Sequence, residues 1–180
     1  MELRLARTWD DRVVPPAEVA TVDVSRRDDG FEISVDAPFF GDPPPVGPPG
    51  STPELWQHEV VEVFFLGDDT RYLEVELSPH GHHLVLELHG VRCVTREGLP
   101  LRYAASIRAG RWRGRASVPS ALVPPGPLRI NAFAMHGVAA GRRYLAWRAP
   151  GGSQPNFHRL DAFRPFNGDD DPRGRGSPGD

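Results

Sequence analysis

The chain has 180 residues with a formal net charge of −3, and 39% of them are hydrophobic, a composition typical of a globular protein. A chain of this length can bury roughly 70% of its unfolded surface, so a stable core requires neither a metal ion nor a disulfide. It contains no basic block and no run of eighteen apolar residues, which argues against a nucleic-acid partner and a membrane-spanning segment. The charged N-terminus, residues 1–7, lacks the apolar stretch of a signal peptide, so we expect a cytoplasmic protein.

Every one of the 21 basic residues is an arginine. Together with 19 glycines and 20 prolines, this composition indicates a GC-rich genome, and we expect a bacterial protein. Arginine stays charged at any working pH and offers a planar fork to carboxylates, so acidic strand residues have available partners. The single cysteine, Cys93, excludes an intrachain disulfide, and its neighbours Val91 and Val94 predict a small core residue rather than a reactive thiol.

The first predicted elements are a hairpin and a proline-rich loop. Residues 23–35 alternate apolar and polar side chains around Asp28-Asp29-Gly30, which predicts two antiparallel strands with one solvated face. The segment 41–53 is rich in proline, which cannot join a strand ladder. Long loops within a domain are often functional, and two roles remain equally open: a lid over a binding site, or a wrap that closes one end of the core.

The central hairpin is the most informative part of the sequence. Residues 55–66 and 72–77 are rich in β-branched and aromatic side chains and flank the turn-forming residues 67–70, so they are predicted to pair as antiparallel strands. On a strand with a period of two, Glu62 shares its face with apolar residues such as Val60 and Phe64. A carboxylate in an apolar row is costly to bury, so Glu62 is the first candidate functional residue.

The later segments continue the strand pattern. Further strands are predicted at residues 84–90, 101–108, 112–119, 128–136 and 143–148, with one helical turn at 120–123. Short strands at regular spacing, without an amphipathic helix, predict an all-β fold, a two-sheet β-sandwich. Residues 1–167 are expected to form a single domain. The tail 168–180 has no apolar residue to bury and is expected to be disordered.

Four glutamates lie on three successive predicted strands: Glu62, Glu74, Glu76 and Glu87. If these strands pair in sequence order, the carboxylates could gather on one sheet surface. Such a surface could bind the hydroxyl groups of a sugar, hold a hard cation or supply an acid and base pair. For all except Glu62, the alternation favours a solvated face instead. The expected partners on that face are Arg71, Arg113 and Arg115.

Three histidines occupy one predicted turn: His80, His82 and His83. They lack a His-Glu-x-x-His motif or a cysteine pair, so a solvent-exposed turn is favoured over a metal site. His58, His136 and His158 border core strands, where a structural histidine is commoner than a catalytic one. No Gly-x-Ser-x-Gly motif and no Gly-Lys-Ser/Thr motif occurs, so we predict no catalytic residue and no cofactor.

Trp56 and Glu62 are the residue pair that best suits a binding site. An aromatic ring stacks on the C–H face of a sugar, while nearby carboxylates and amides bind its hydroxyl groups. Trp56 lies six residues before Glu62, at the beginning of the predicted hairpin and close in sequence to the proline-rich loop. Packing in the core is nevertheless the commoner role for any single tryptophan.

Several motifs together resemble a known family. They are Ala37–Pro45, Pro49-Gly50, Leu55–Leu66, Tyr72–Gly81, Phe133–Gly137 and Asn156–Asn167. In this order, over about residues 20–167, they resemble an uncharacterised family found in bacteria and animals, which is itself similar to DOMON-like proteins and family 9 carbohydrate-binding modules. The resemblance implies a β-sandwich with a sugar site at Trp56 and Glu62 and with Trp147 as its second wall. It also implies a structural calcium ion, although no Asp-x-Asp-x-Asp-Gly loop occurs.

The favoured hypothesis is a non-enzymatic, carbohydrate-binding-like module for a small sugar or similar polar molecule. In this hypothesis Trp56 stacks on the ligand and Glu62 accepts hydrogen bonds from its hydroxyl groups. The complete set of predicted site residues is Trp56, Glu59, Glu62, Asn131, His136, Trp147, His158 and Arg159. Two alternatives remain open: an enzyme acting on a glycan or sugar phosphate with Glu62 and a second carboxylate as acid and base, and an interaction module with a vestigial pocket. The sequence does not determine the oligomeric state.

Overall fold

The computed structural model describes residues 1–167, and the tail predicted to be disordered, 168–180, lies outside the described residues. Its strands are β1 Glu2–Leu5, β2 Arg7–Thr8, β3 Ala20–Arg27, β4 Gly30–Pro38, β5 Val60–Leu66, β6 Arg71–Leu77, β7 His83–His89, β8 Val94–Glu97, β9 Arg102–Arg108, β10 Arg111–Pro119, β11 Arg129–His136, β12 Arg143–Ala146 and β13 Arg164–Pro165. Short 3-10 helices span Pro16–Glu18, Leu55–Gln57, Ser120–Leu122, Ala139–Gly141 and Leu160–Ala162. Within residues 1–167, no helix combines the length and the apolar character needed to cross a membrane.

The named strands form two antiparallel sheets, which confirms the predicted two-sheet β-sandwich. The smaller sheet has the order β1-β3-β4-β10-β9. The larger sheet has the order β2-β12-β11-β5-β6-β7-β8, with β13 paired to β11. The predicted central hairpin is β5 and β6, in which Val63 lies opposite Val75. Because β5 and β6 pair with Glu62 opposite Glu76, the glutamates of these two strands meet on one surface. Glu87 on β7 lies opposite Leu73, a residue of the core between the sheets, and is therefore not on that surface.

The main core lies between the two sheets. The predicted alternation of β10 is confirmed: Trp112, Ala116 and Val118 are buried in this core, whereas the arginines between them face solvent. On the outside, Arg113 binds Asp36 at 2.8 Å instead of a strand glutamate. Each large apolar side chain buried in such a core contributes roughly 1.5–3 kcal/mol, so the inward-facing residues account for most of the stability of the sandwich.

Strand β5 is buried on both of its faces. Val61, Val63 and Phe65 face the core between the sheets. Glu62 and its apolar neighbours on the same side face a second hydrophobic cluster on the outer face of the larger sheet. Phe157 and Phe163, from the segment that follows β12, belong to this outer core. The prediction that Glu62 interrupts a buried apolar row is therefore confirmed.

The proline-rich loop 41–53 is anchored on the start of β7. The N–H of Thr52 donates to the carbonyl of His83 at 2.9 Å, and the N–H of His83 donates to the carbonyl of Gly50 at 2.9 Å. The hydroxyl of Thr52 lies 2.8 Å from Nδ1 of His82. His82 and His83 are both buried, so the prediction of a solvent-exposed turn is wrong for these two residues. The reason is that the loop packs across a turn that would otherwise face solvent.

Cys93 lies in the turn between β7 and β8, and its side chain is exposed. Its neighbours Val91 and Val94 are 54% and 48% exposed. The prediction of a small core residue is therefore wrong. The turn projects from the edge of the larger sheet, where apolar neighbours in sequence do not imply an apolar environment.

Candidate functional site

A cavity of about 380 Å³ opens on the outer face of the larger sheet. Its walls are mostly aromatic and aliphatic, with Trp56, Tyr144 and Phe157 as the aromatic members. Glu62 and Glu74 line the same cavity. A concave, mainly apolar cavity with a few polar groups is the usual form of a small-molecule site.

The acidic residues of the cavity are placed by strand register. Glu62 on β5 lies directly opposite Glu76 on β6, and Glu74 is two residues from Glu76 on the same face of the sheet. Carboxylate oxygens of all three lie within 4.8 Å of one another. All three side chains are buried, Glu76 completely. Among residues 1–167, Oε2 of Glu74 and both carboxylate oxygens of Glu76 find no hydrogen-bond partner.

Burial raises the pKa of all three carboxyl groups. It raises the pKa of Glu74 to about 8, against an opposing attraction from Arg92. Burial and then repulsion by Glu74 raise the pKa of Glu62 well above its ordinary value, and Arg142 acts in the opposite direction. The pKa of Glu76 is raised by burial and then by the charges of Glu62 and Glu74. Glu62 and Glu74 form the acidic floor of the cavity. In the ligand-free protein, they therefore keep their protons at pH values at which solvent-exposed glutamates release them.

The prediction that Glu74 and Glu76 lie on a solvated face is wrong, because the outer core covers that face of the larger sheet. The arginines expected as their partners bind elsewhere: Arg71 to Asp69, Arg113 to Asp36 and Arg115 to Glu32. Glu87, further towards the edge of the sheet, is only partly buried and binds Arg96 at 2.9 Å. Of Glu74, Glu76 and Glu87, only Glu87 therefore reaches the surface as predicted.

Trp56 is held at the cavity by an arginine from a distant turn. It lies in the 3-10 helix Leu55–Gln57, and its side chain remains 39% exposed. The guanidinium group of Arg142 donates to the carbonyls of Trp56, Gln57 and His58, and also to the carbonyl of Gly137. Sequence reasoning did not find Arg142, because nothing in its local sequence distinguishes it from other exposed arginines.

Tyr72, His158 and Arg92 form a hydrogen-bonded set at one wall of the cavity. Tyr72 Oη lies 2.8 Å from Nδ1 of His158 and accepts a hydrogen bond from the N–H of Arg92 at 2.9 Å. Burial lowers the pKa of His158 to about 4, so its ring is neutral and Nδ1 can accept the tyrosine proton. Burial also raises the pKa of Tyr72 to about 12, which keeps this hydroxyl protonated. The group fixes His158 at the cavity wall.

Replacing Tyr72 by phenylalanine is expected to lower the free energy of unfolding by about 2 kcal/mol, because the Arg92 N–H and the His158 ring each lose a buried partner. Urea denaturation measures this change. Tyr144→Phe is the control, since Tyr144 lines the same cavity but its hydroxyl makes no hydrogen bond within the described residues. Equal losses in the two variants would contradict the assigned role of the Tyr72 hydroxyl.

The other predicted site residues lie away from the cavity. Glu59 accepts hydrogen bonds from the N–H groups of Phe40 and Asp42, at 3.0 and 3.3 Å. The ring of His136 stacks on that of Phe40 with a centroid distance of 3.5 Å. Both residues thus fasten the beginning of the proline-rich loop. No residue of 41–53 lines the cavity, which removes the lid role for this loop.

Asn131, Arg159 and Trp147 also have structural partners. Asn131 exchanges two hydrogen bonds with the backbone of Arg148, at 3.0 and 3.1 Å, and Arg159 binds Asp161 at 3.0 Å. Trp147 packs against the core between the sheets. The prediction that Trp147 forms the second wall is wrong, because Ala146 faces the outer core and the next residue along the chain faces the opposite side.

Of the predicted residues, the structure therefore brings Trp56, Glu62 and His158 together in the cavity. It adds wall residues outside the predicted set, above all Glu74, Tyr144 and Phe157. The sequence offers Glu74 as one of the glutamates that could gather on a sheet surface, but the alternation of β6 favours a solvated position for it.

The two-sheet β-sandwich has a counterpart among solved structures. A protein of Bacteroides uniformis described as a candidate carbohydrate-binding protein superposes with a TM-score of 0.67 at 15% identity, covering 81% of this chain and 76% of that one. A family 9 carbohydrate-binding module of Caldicellulosiruptor kristjanssonii, solved with cellotriose, gives a TM-score of 0.49 at 9% identity over 72% of this chain and 65% of that one. At 15% identity, the superposition on the Bacteroides uniformis protein supports a shared fold and nothing about function.

Sequence comparison identifies the family. The chain is 44% identical to the mouse protein "UPF0462 protein C4orf33 homolog" over 93% of this chain and 91% of that protein. Identity is 43% to the human protein over 93% of this chain and 88% of that one, and 42% to the zebrafish protein over 92% and 88%. The chain therefore belongs to the UPF0462 (C4orf33) family. No family model matches the chain.

These relatives correct one expectation. The matching curated proteins come from mouse, zebrafish, human and rat, so the prediction of a bacterial protein from the arginine-rich composition is wrong. Base composition influences residue usage in any genome, and it does not identify a lineage.

Proposed function

We propose that this protein is a non-enzymatic module that binds a small polyhydroxylated molecule, such as a sugar, in the cavity on the outer face of the larger sheet. One observation supports this above the others: an aromatic-walled cavity ends on the buried Glu74, whose Oε2 has no hydrogen-bond partner within residues 1–167. We further propose that the chain is a divergent relative of family 9 carbohydrate-binding modules, as its motifs suggest. The cytoplasmic location stays a prediction from the sequence.

The aromatic walls suit the apolar side of a sugar ring. Trp56 presents an exposed indole at the mouth of the cavity, and Tyr144 and Phe157 complete an apolar surround. Aromatic rings in such sites bind apolar faces while a few polar groups fix the orientation of the ligand. The volume of about 380 Å³ lies in the range of small-ligand sites and suits a monosaccharide or a short oligosaccharide end.

The floor suits hydroxyl groups. A buried polar atom without a partner costs roughly 1–3 kcal/mol, and Glu74 carries one such oxygen at the cavity. A ligand hydroxyl can donate to an ionised carboxylate or accept from a protonated one, so it can satisfy this group in either state. The same unsatisfied group would have no use in an interaction module with a vestigial pocket.

The carboxyl groups are poorly arranged for glycoside hydrolysis. An acid and a base that flank a glycosidic bond need environments that push their pKa values apart. Here the glutamates stand side by side on one sheet face, and burial raises the pKa of each in the same direction. This supports binding over catalysis.

A thermal-shift screen against monosaccharides, disaccharides and sugar phosphates tests the proposal. A ligand at a hundred times its dissociation constant stabilises the folded state by about 2.7 kcal/mol. In Trp56→Ala we expect the affinity to fall about tenfold to a hundredfold, because stacking of this kind contributes roughly 1–3 kcal/mol. Trp147→Phe, whose side chain packs between the sheets, is the control and should retain the ligand-induced shift. The absence of any hit, or an equal shift in Trp56→Ala, would count against the proposed function.

A further inference from the structure

A completely buried carboxylate lies beside the acidic floor of the cavity, on the same face of the sheet. Glu76 has 0% exposed surface and does not line the cavity, and within residues 1–167 neither of its oxygens has a hydrogen-bond partner. The backbone N–H of Trp56 opposes the rise in the pKa of Glu76, yet it does not reach hydrogen-bond geometry. A sugar that occupies the cavity would meet Glu62 and Glu74 first, so it leaves Glu76 unexplained.

Arg92 and Arg142 lie near enough to attract this cluster, but neither forms an ion pair with it. In residues 1–167, no arginine, histidine or N-terminal nitrogen lies within ion-pair distance of Glu62, Glu74 or Glu76. The guanidinium group of the nearby Arg142 donates to backbone carbonyls, and that of Arg92 donates to the side-chain oxygen of Asn156 at 3.2 Å. Without an ion pair these buried acids keep protons, and a cation from outside the chain is what would allow them to ionise.

We propose that Glu62, Glu74 and Glu76 together bind a divalent cation of the size of calcium. Calcium takes six to eight oxygen ligands at about 2.3–2.6 Å, so oxygens on opposite sides of one ion are roughly 4.6–5.2 Å apart. The oxygens of the three carboxylates lie no more than 4.8 Å apart, which is close enough for one calcium ion to contact all three. Magnesium would require bonds of about 2.0–2.1 Å and a stricter octahedron, a poorer match to side chains fixed on two paired strands.

The site differs from a calcium loop in how it is built. Its ligands come from neighbouring positions of β5 and β6, so strand register sets their spacing. Three carboxylates satisfy only part of the coordination of calcium, and the remaining positions face the cavity that Glu62 and Glu74 line. Water would fill these positions in the absence of a ligand. The vicinal hydroxyl groups of a sugar would replace that water, a link that rests on the proposed function, whereas the cation site does not.

Terbium luminescence provides a direct test of the cation site. The protein is stripped with EDTA, and Tb³⁺, a calcium substitute, is titrated while tryptophan is excited, because Trp56 lines the same cavity as Glu62 and Glu74. We expect saturable Tb³⁺ emission that Ca²⁺ displaces and Mg²⁺ displaces more weakly. Glu76→Gln is expected to weaken binding at least about tenfold, since it removes one charged ligand of three.

Two controls keep the test decisive. Glu87→Gln removes a glutamate of the adjacent strand that already binds Arg96, and it should leave the Tb³⁺ affinity unchanged. Glu62→Gln provides a second ligand variant if Glu76→Gln does not fold. Non-saturable emission, or equal affinity in the ligand variants and the wild type, would overturn the proposal. Because no sugar is present, failure here leaves the sugar screen intact, and sugar binding that persists unchanged in EDTA would overturn the link between cation and sugar.

Discussion

Glu74→Gln is expected to stabilise the metal-free protein, by an amount that grows as the pH rises from about 4.5 to about 8. The pKa of Glu74 is raised to about 8 in the folded protein, from 4.5. The folded state therefore keeps a proton that the unfolded state releases, and the wild type loses stability across this interval as pH rises. Glutamine does not titrate, so it avoids this loss. One unit of pKa shift corresponds to about 1.4 kcal/mol, and allowing for coupling within the cluster we expect a gain of about 3 kcal/mol at pH 8.

Thermal unfolding in EDTA at several pH values measures this effect. A gain of this size should raise the midpoint temperature by roughly 6–12 °C at the upper end of the pH interval, and by little at its lower end. Glu87→Gln is the matched control on the next strand, where a partly exposed ion pair with Arg96 should change stability by less than about 1 kcal/mol. A pH-independent gain for Glu74→Gln would show that repacking, and not proton release, is responsible.

Arg142→Ala is expected to lower the free energy of unfolding by about 3 kcal/mol and to loosen the turn that carries Trp56. The guanidinium group donates to four backbone carbonyls, at residues 56, 57, 58 and 137. Hydrogen bonds to a charged donor contribute about 1.5–3 kcal/mol each when buried, and partial exposure and shared geometry reduce their sum. Urea denaturation measures the stability change. Amide hydrogen exchange should also become faster at Gln57 and His58, whose N–H groups close the 3-10 turn.

The neighbouring arginine provides the control. Arg143 is 43% exposed and binds Glu18 at 2.7 Å on the surface, so Arg143→Ala should change stability by less than about 1 kcal/mol. It should leave the exchange of the Trp56 turn unchanged. Similar effects in the two variants would mean that Arg142 acts through general charge and not through the carbonyls that it binds.

Much of the fold could be predicted from the sequence, because its strands alternate clearly. The pairs β3–β4, β5–β6 and β9–β10 follow from period-two patterns joined by turn residues. Strand β1 was not predicted, since it has only four residues and just two of them, Leu3 and Leu5, are apolar. Its two leucines are nevertheless fully buried, because β1 closes the edge of the smaller sheet over the main core.

The site was less predictable, for a physical reason. Glu62 stood out because its own strand face was apolar, whereas Glu74 and Glu76 alternate with apolar residues as solvated positions do. The difference depends on whether something covers that face. The cover comes from residues after β12, such as Phe157 and Phe163, and no local pattern on β6 reports a contact with a segment about eighty residues away.

The second core of the larger sheet has a consequence for kinetics. The segment after β12 that includes Phe157 and Phe163 covers the outer face of the larger sheet. Within the described residues, its regular structure consists of one 3-10 turn and the two-residue β13. Segments of this kind can open by local unfolding at a free energy below that of global unfolding. The two sheets would stay folded while this covering segment unfolds and refolds locally. The rate at which a bound molecule leaves would then report the opening of this cover, and residence time could change through substitutions there that touch neither the aromatic walls nor the acidic floor.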